Sequence, residues 1–131
     1  MLPQSYDHLK NPLVLVVDDT PDIHALIHSL LRGSYQVKSA NNGQKGLHIA
    51  QSEPAPDLIL LDVHLPDASG QELLKLIKAN PDTVDIPVIM ISADAMPEQI
   101  DAALSAGAAC YLTKPVQLSE LLRQVDELMP D

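Results

Sequence analysis

Leu13-Val14-Leu15-Val16-Val17-Asp18-Asp19-Thr20-Pro21 carries the reading of this chain. Five apolar residues without polar alternation read as a strand buried on both faces, the habit of a parallel sheet covered by helices on each side. Two aspartates follow at once, and Thr20 and Pro21 then supply an N-cap and a first helical residue. A strand that ends in carboxylates and turns straight into a helix is the opening of a βαβ unit.

Working outward, Ile23, Leu26, Ile27, Leu30 and Leu31 form one helical stripe that is expected to pack on the sheet until Gly33 stops it. Tyr35 to Ser39 alternates apolar and polar residues, as an edge strand with one wet face does. A second helix starts near Gly43, carries Leu47 and Ala50 inward, and is broken by Glu53-Pro54-Ala55-Pro56. Leu58 to Leu61, Val88 to Ile91, and Cys110 to Leu112 are three more apolar runs. Between and after them lie helices from about Ser69 to Ala79, from Pro97 to Gly107 with Ile100, Ala103 and Leu104 inward, and a last one on Leu118, Leu121, Leu122, Val125 and Leu128. The expectation is an α/β, flavodoxin-like, doubly wound five-stranded parallel sheet of order 2-1-3-4-5 with five helices, spanning residues 13–129 after an extension at 1–12.

The 131 residues suffice for one domain with a full core. The single cysteine, Cys110, lies in an apolar run and reads as a packed thiol, which points to a reducing cytosol. No apolar stretch reaches the roughly 20 residues of a membrane span, and the first twelve residues lack a signal pattern. With a formal net charge of −10 and only eight scattered basic residues, the chain repels phosphate backbones and is not expected to bind nucleic acid directly.

Open α/β sheets bind ligands at the carboxyl ends of their strands. Asp18 and Asp19, Asp62, Ser92 and Lys114 each stand at or just past such an end, so they are expected to converge. Three carboxylates in one crevice repel unless a cation relieves them, and an oxygen-only donor set suits Mg²⁺. Lys114 adds a positive charge and Ser92 a hydrogen-bond donor, the groups that stabilise a phosphoryl group in transfer. Asp62 stands alone at its strand end and is the candidate nucleophile, since carboxylates form acyl phosphates; Asp18 and Asp19 are left to hold the metal.

Val16-Val17-Asp18-Asp19, Leu60 through Gly70, Pro87 through Ala93, and Tyr111-Leu112-Thr113-Lys114-Pro115 together resemble the receiver domain of two-component response regulators, over roughly residues 13–129. That resemblance implies a signalling domain rather than an enzyme, with Asp62 accepting a phosphoryl group from a histidine kinase or histidine phosphotransfer protein. It implies Mg²⁺ held by Asp18, Asp19, Asp62 and the backbone carbonyl of His64. Ser92, the Ala93 backbone and Lys114 would grip the phosphoryl oxygens, with a cis peptide between Lys114 and Pro115. Ser92 and Tyr111 would act as the switch, Tyr111 turning inward and changing the surface of helix four, strand five and helix five for a downstream protein. His64 and Asp94 border the site as rim residues, and Asp94 is expected to tune phosphoryl lifetime. His8, His24, His28 and His48 show no metal-site spacing and read as surface residues.

Two other functions compete. A small aspartyl-phosphate phosphohydrolase uses the same residue types, but the familiar aspartate-nucleophile phosphatases carry Asp-x-Asp where this chain has Asp18-Asp19-Thr20. A phosphorylation-independent binding module would not need all five polar residues. A P-loop is excluded, because no Gly-x-x-x-x-Gly-Lys follows the first strand.

Overall fold

The computed structural model describes residues 11–94 and 96–129. The proposed extension at 1–12 falls almost entirely outside them, as does His8. Strands β1 (Leu13–Val17), β2 (Gln36–Ala40), β3 (Leu58–Asp62), β4 (Val88–Ser92) and β5 (Cys110–Thr113) alternate with helices α1 (Pro21–Leu31), α2 (Gly43–Ala50), α3 (Gly70–Ala79), α4 (Pro97–Ser105) and α5 (Leu118–Leu128). All strand pairs are parallel and the order is β2-β1-β3-β4-β5, so the order read from the sequence holds. β2 is an edge strand with most of its residues exposed, which is why it alone alternates in polarity.

Successive strand residues face opposite sides, and each side has its own core. Leu15, Val17, Leu61 and Met90 pack with Ala50 of α2, Leu74 and Ile77 of α3, and Ala103 of α4. Val14, Val16, Leu60, Ile89 and Ile91 pack with Ile27 and Leu31 of α1 and with Leu121 and Val125 of α5. Full burial of each such aliphatic side chain contributes about 1.5–3 kcal/mol relative to exposure, which is why β1 is apolar throughout and β3 and β4 are apolar up to their last residues, Asp62 and Ser92.

Three expected core contacts fail. Leu26 is 47% exposed and Leu104 46%, and Leu118 is also exposed. At about 100° per residue, Leu26 lies one step beyond the arc centred on Ile27 and Leu31, and Leu104 one step beyond Ala103, so both fall at the rim of their helix faces. Leu26 and Leu118 instead wall an apolar groove of about 180 Å³ between α1 and the start of α5, beside Lys114. Cys110 is half-buried rather than fully enclosed, and burial holds its thiol above the ordinary cysteine value.

Candidate functional site

Parallel pairing places the polar residues side by side. Val17 is level with Leu61, Asp62 with Ile91, and Ser92 with Thr113. The ladder continues past the strand ends: Asp18 N–H donates to the Ala40 carbonyl at 3.0 Å, Val63 N–H to the Ile91 carbonyl at 3.0 Å, and Lys114 N–H to the Ser92 carbonyl at 2.8 Å. Asp18, Asp62, Ser92 and Lys114 therefore leave the sheet along one edge. The peptide bond before Pro115 is cis, as is the one before Pro54.

Lys114 Nζ lies 3.2 Å from Asp18 Oδ2 and 3.3 Å from Asp62 Oδ2, bridging the two carboxylates. Asp18 and Asp62 are nearly inaccessible and Ser92 is wholly buried, whereas Asp19 is exposed. Carboxylate oxygens of Asp18, Asp19 and Asp62 all lie within 4.8 Å of one another. Burial pushes the Asp62 carboxyl above its ordinary value and the Asp18 charge adds to this, against the His64 N–H bond and the Lys114 charge. Burial alone would lower Lys114, but Asp18 and Asp62 outweigh it and hold the ammonium above the ordinary lysine value. Lys114 bridges two of these carboxylates with the third close by, and three oxygen donors so gathered fit a hard divalent ion.

The rim is organised by short turns. His64 N–H donates to Asp62 Oδ1 at 3.1 Å, while the His64 side chain is exposed. Ser92 Oγ accepts the Asp94 N–H at 3.0 Å, which leaves the hydroxyl proton free to donate elsewhere. The Asp94 carboxylate accepts the Met96 N–H at 3.0 Å, a local turn at the entry to α4. Tyr111 already lies inward: it packs against the α2–α4 core, and its hydroxyl donates to the Asp94 carbonyl at 2.8 Å.

Three contributors were not legible as site residues. His24 is not a surface residue as expected; it is half-buried, and its Nε2 lies 2.5 Å from the Asp18 carbonyl oxygen. Asp67 accepts the Gly43 N–H at 2.7 Å and the Gln44 N–H at 3.0 Å, tying the loop after Asp62 to the start of α2. Gly70 packs so closely that a Cβ there would stand 2.4 Å from the Asp62 carbonyl oxygen. The Ser69-Gly70 pair was a visible signal for a tight helix entry. Nothing in the sequence announced the partner of Asp67, 24 residues away. The remaining described histidines are exposed, and His28 Nε2 sits 3.1 Å from Ser39 Oγ.

A flavodoxin-like sheet with an acidic oxygen site and a bridging lysine at its carboxyl edge defines a receiver-type α/β domain. The chain belongs to the response regulator receiver domain family, whose family model matches residues 14–126. It is 35% identical over 120 residues to a rice (Oryza sativa) two-component response regulator, ORR11, covering 91% of this chain and 82% of the relative. It is 37% identical over 125 residues to a probable cyclic di-GMP phosphodiesterase of Vibrio cholerae, covering 95% of this chain but spanning only 28% of that protein. Among solved structures, a putative response regulator from Chloroflexus aurantiacus superposes with a TM-score of 0.84 at 32% identity, covering 91% of this chain and 98% of that one. The chemotaxis protein CheY4 of Vibrio cholerae superposes at 0.82 and 28% identity, covering 90% and 98%. The chain is thus a receiver domain, a signalling unit, and none of its described helices is long and apolar enough to cross a membrane.

Proposed function

We propose that this receiver accepts a phosphoryl group on Asp62 from a phosphohistidine of a histidine kinase or phosphotransfer protein. A carboxylate oxygen of Asp62 attacks phosphorus, the P–N bond of the donor breaks, and the imidazole leaves with a proton from solvent. The observation that carries this reading is the convergence of Asp62, Lys114 and Ser92 at adjacent strand ends, with Asp18 and Asp19 within reach of the same point. Asp18, Asp19 and Asp62, with the His64 carbonyl, would hold Mg²⁺, which when bound supplies positive charge to the phosphoryl oxygens. Lys114, the Ser92 hydroxyl and the Ala93 N–H bind the remaining oxygens.

The switch runs through residue 94. Its N–H is bonded to Ser92 Oγ and its carbonyl to Tyr111 OH, so a Ser92 side chain drawn to a phosphoryl oxygen displaces both bonds together. The surface of α4, β5 and α5 responds and is read by a downstream protein. The exposed Leu104 on that surface is a natural anchor for such a partner. Asp94 and the His64 side chain, at the rim, tune how long the group survives. The folded unit is residues 13–129, acting in the cytoplasm.

Incubation of the chain with phosphoramidate and Mg²⁺, followed by intact-mass measurement, tests the reading. Uptake of one phosphoryl group, lost in Asp62→Ala and without Mg²⁺, is the expected outcome. Unchanged mass with steady release of phosphate would mark a phosphohydrolase, and unchanged mass with no release a binding module that works without phosphorylation.

A further inference from the structure

Of the three carboxylates, Asp18 and Asp62 are held by Lys114, but the exposed Asp19 side chain takes no hydrogen bond among the described residues. Its direction is therefore set by the backbone on either side. After it, the Thr20 N–H donates to Asp18 Oδ1 at 2.8 Å. Before it, the Asp18 carbonyl, part of the peptide unit that leads into Asp19, meets His24 Nε2 at 2.5 Å.

The direction of the His24 hydrogen bond follows from its partner. A carbonyl oxygen only accepts, so Nε2 must carry a proton. Nδ1 is buried with no hydrogen-bond partner among the described residues, so Nε2 makes the one polar contact of the ring there. The Nε2 proton is aimed at the Asp18 carbonyl. His24 lies on α1 (Pro21–Leu31), so this bond staples the start of the helix to the end of β1 across the Asp18-Asp19-Thr20 turn.

We propose that His24 is a positioning residue that locks the Asp18–Asp19 peptide plane and so aims the Asp19 carboxylate at the divalent cation shared with Asp18 and Asp62. The inference rests on the metal-site reading above. It adds a residue outside the metal-holding set, one that touches neither metal nor phosphoryl group. Loss of one hydrogen bond, worth about 1 kcal/mol, predicts that a variant without the donor binds the cation about fivefold more weakly. A variant that restores an N–H at the same reach should recover it.

The chain has no tryptophan to report binding, so Mn²⁺ serves as the probe, with the free ion counted by electron paramagnetic resonance and Mg²⁺ added in competition. His24→Leu fills the space without a donor, and His24→Gln supplies an amide N–H. The expected result is affinity about fivefold lower in His24→Leu and within about twofold of wild type in His24→Gln. Equal binding by His24→Leu and wild type, or equal loss in both variants, overturns the proposal. Nitrogen-15 spectra of the wild-type imidazole keep it falsifiable if the leucine variant does not fold: a proton belongs on Nε2, and an Nε2 without one overturns the clamp. No Mn²⁺ binding by the wild type would instead bring down the metal-site reading, and the inference with it, even with the Nε2 proton in place.

Discussion

Lys114 brings positive charge to two of the carboxylates that a divalent cation would also relieve, so replacing it with methionine separates the two sources of positive charge. Each Lys114 to carboxylate contact, at 3.2 and 3.3 Å, corresponds to a gross attraction of about 5 kcal/mol at an effective dielectric of about 20. Most of that is offset by desolvating three charges, and the Lys114 side chain keeps 24% of its surface exposed, so the net loss in Lys114→Met falls to about 2 kcal/mol. For a domain of this size, that lowers the thermal midpoint by roughly 8 °C. Saturating Mg²⁺ should then stabilise the variant more than wild type, because the cation relieves carboxylates that no ammonium neutralises. Urea unfolding of both proteins with and without Mg²⁺, followed by circular dichroism, reads the effect. A variant as stable as wild type without Mg²⁺, or one that gains no more from Mg²⁺ than wild type does, would refute the competition.

Asp62→Asn tests the buried charge. The folded carboxyl is raised above its ordinary value, so its favourable contribution is full at pH below the unfolded carboxylate range and is lost as pH rises through the folded value. Without divalent cation, the asparagine variant is therefore more stable than wild type at neutral pH, and the difference closes on acidification in urea titrations at stepped pH. Asp67 has the opposite sign: the Gly43 and Gln44 N–H bonds hold it below the ordinary range, so Asp67→Ala loses stability at neutral pH, and the loss fades as pH falls through the folded value. Gly70→Ala forces a Cβ to within 2.4 Å of the Asp62 carbonyl oxygen and should cost about 2 kcal/mol in thermal melts; an unchanged midpoint would show that the loop yields freely.

The strands were readable because β1, β3 and β4 are buried on both faces, which leaves no position for a polar residue until the chain leaves the sheet at Asp18, Asp62 and Ser92. Once strand order is known, those exits define the site, and Lys114 joins it because its N–H extends the ladder to the Ser92 carbonyl. Features that depend on packing across the chain were not readable. Leu26 and Leu104 satisfy the helical period yet sit at the rim of their faces, where only the neighbouring elements decide burial. His24 falls on the same helix at no diagnostic spacing, and its task appears only when α1 folds back on β1. Asp67 looks like any loop carboxylate until α2 arrives above it.

The most direct test of phosphoryl acceptance is borohydride trapping after incubation with phosphoramidate and Mg²⁺, followed by peptide mass spectrometry. Hydride reduces an acyl phosphate to the alcohol, so an aspartyl phosphate at Asp62 is recovered as homoserine at position 62, dependent on Mg²⁺. Homoserine at position 18 or 19, or none at 62 under conditions where the protein has gained a phosphoryl group, would contradict the assignment of Asp62 as the acceptor.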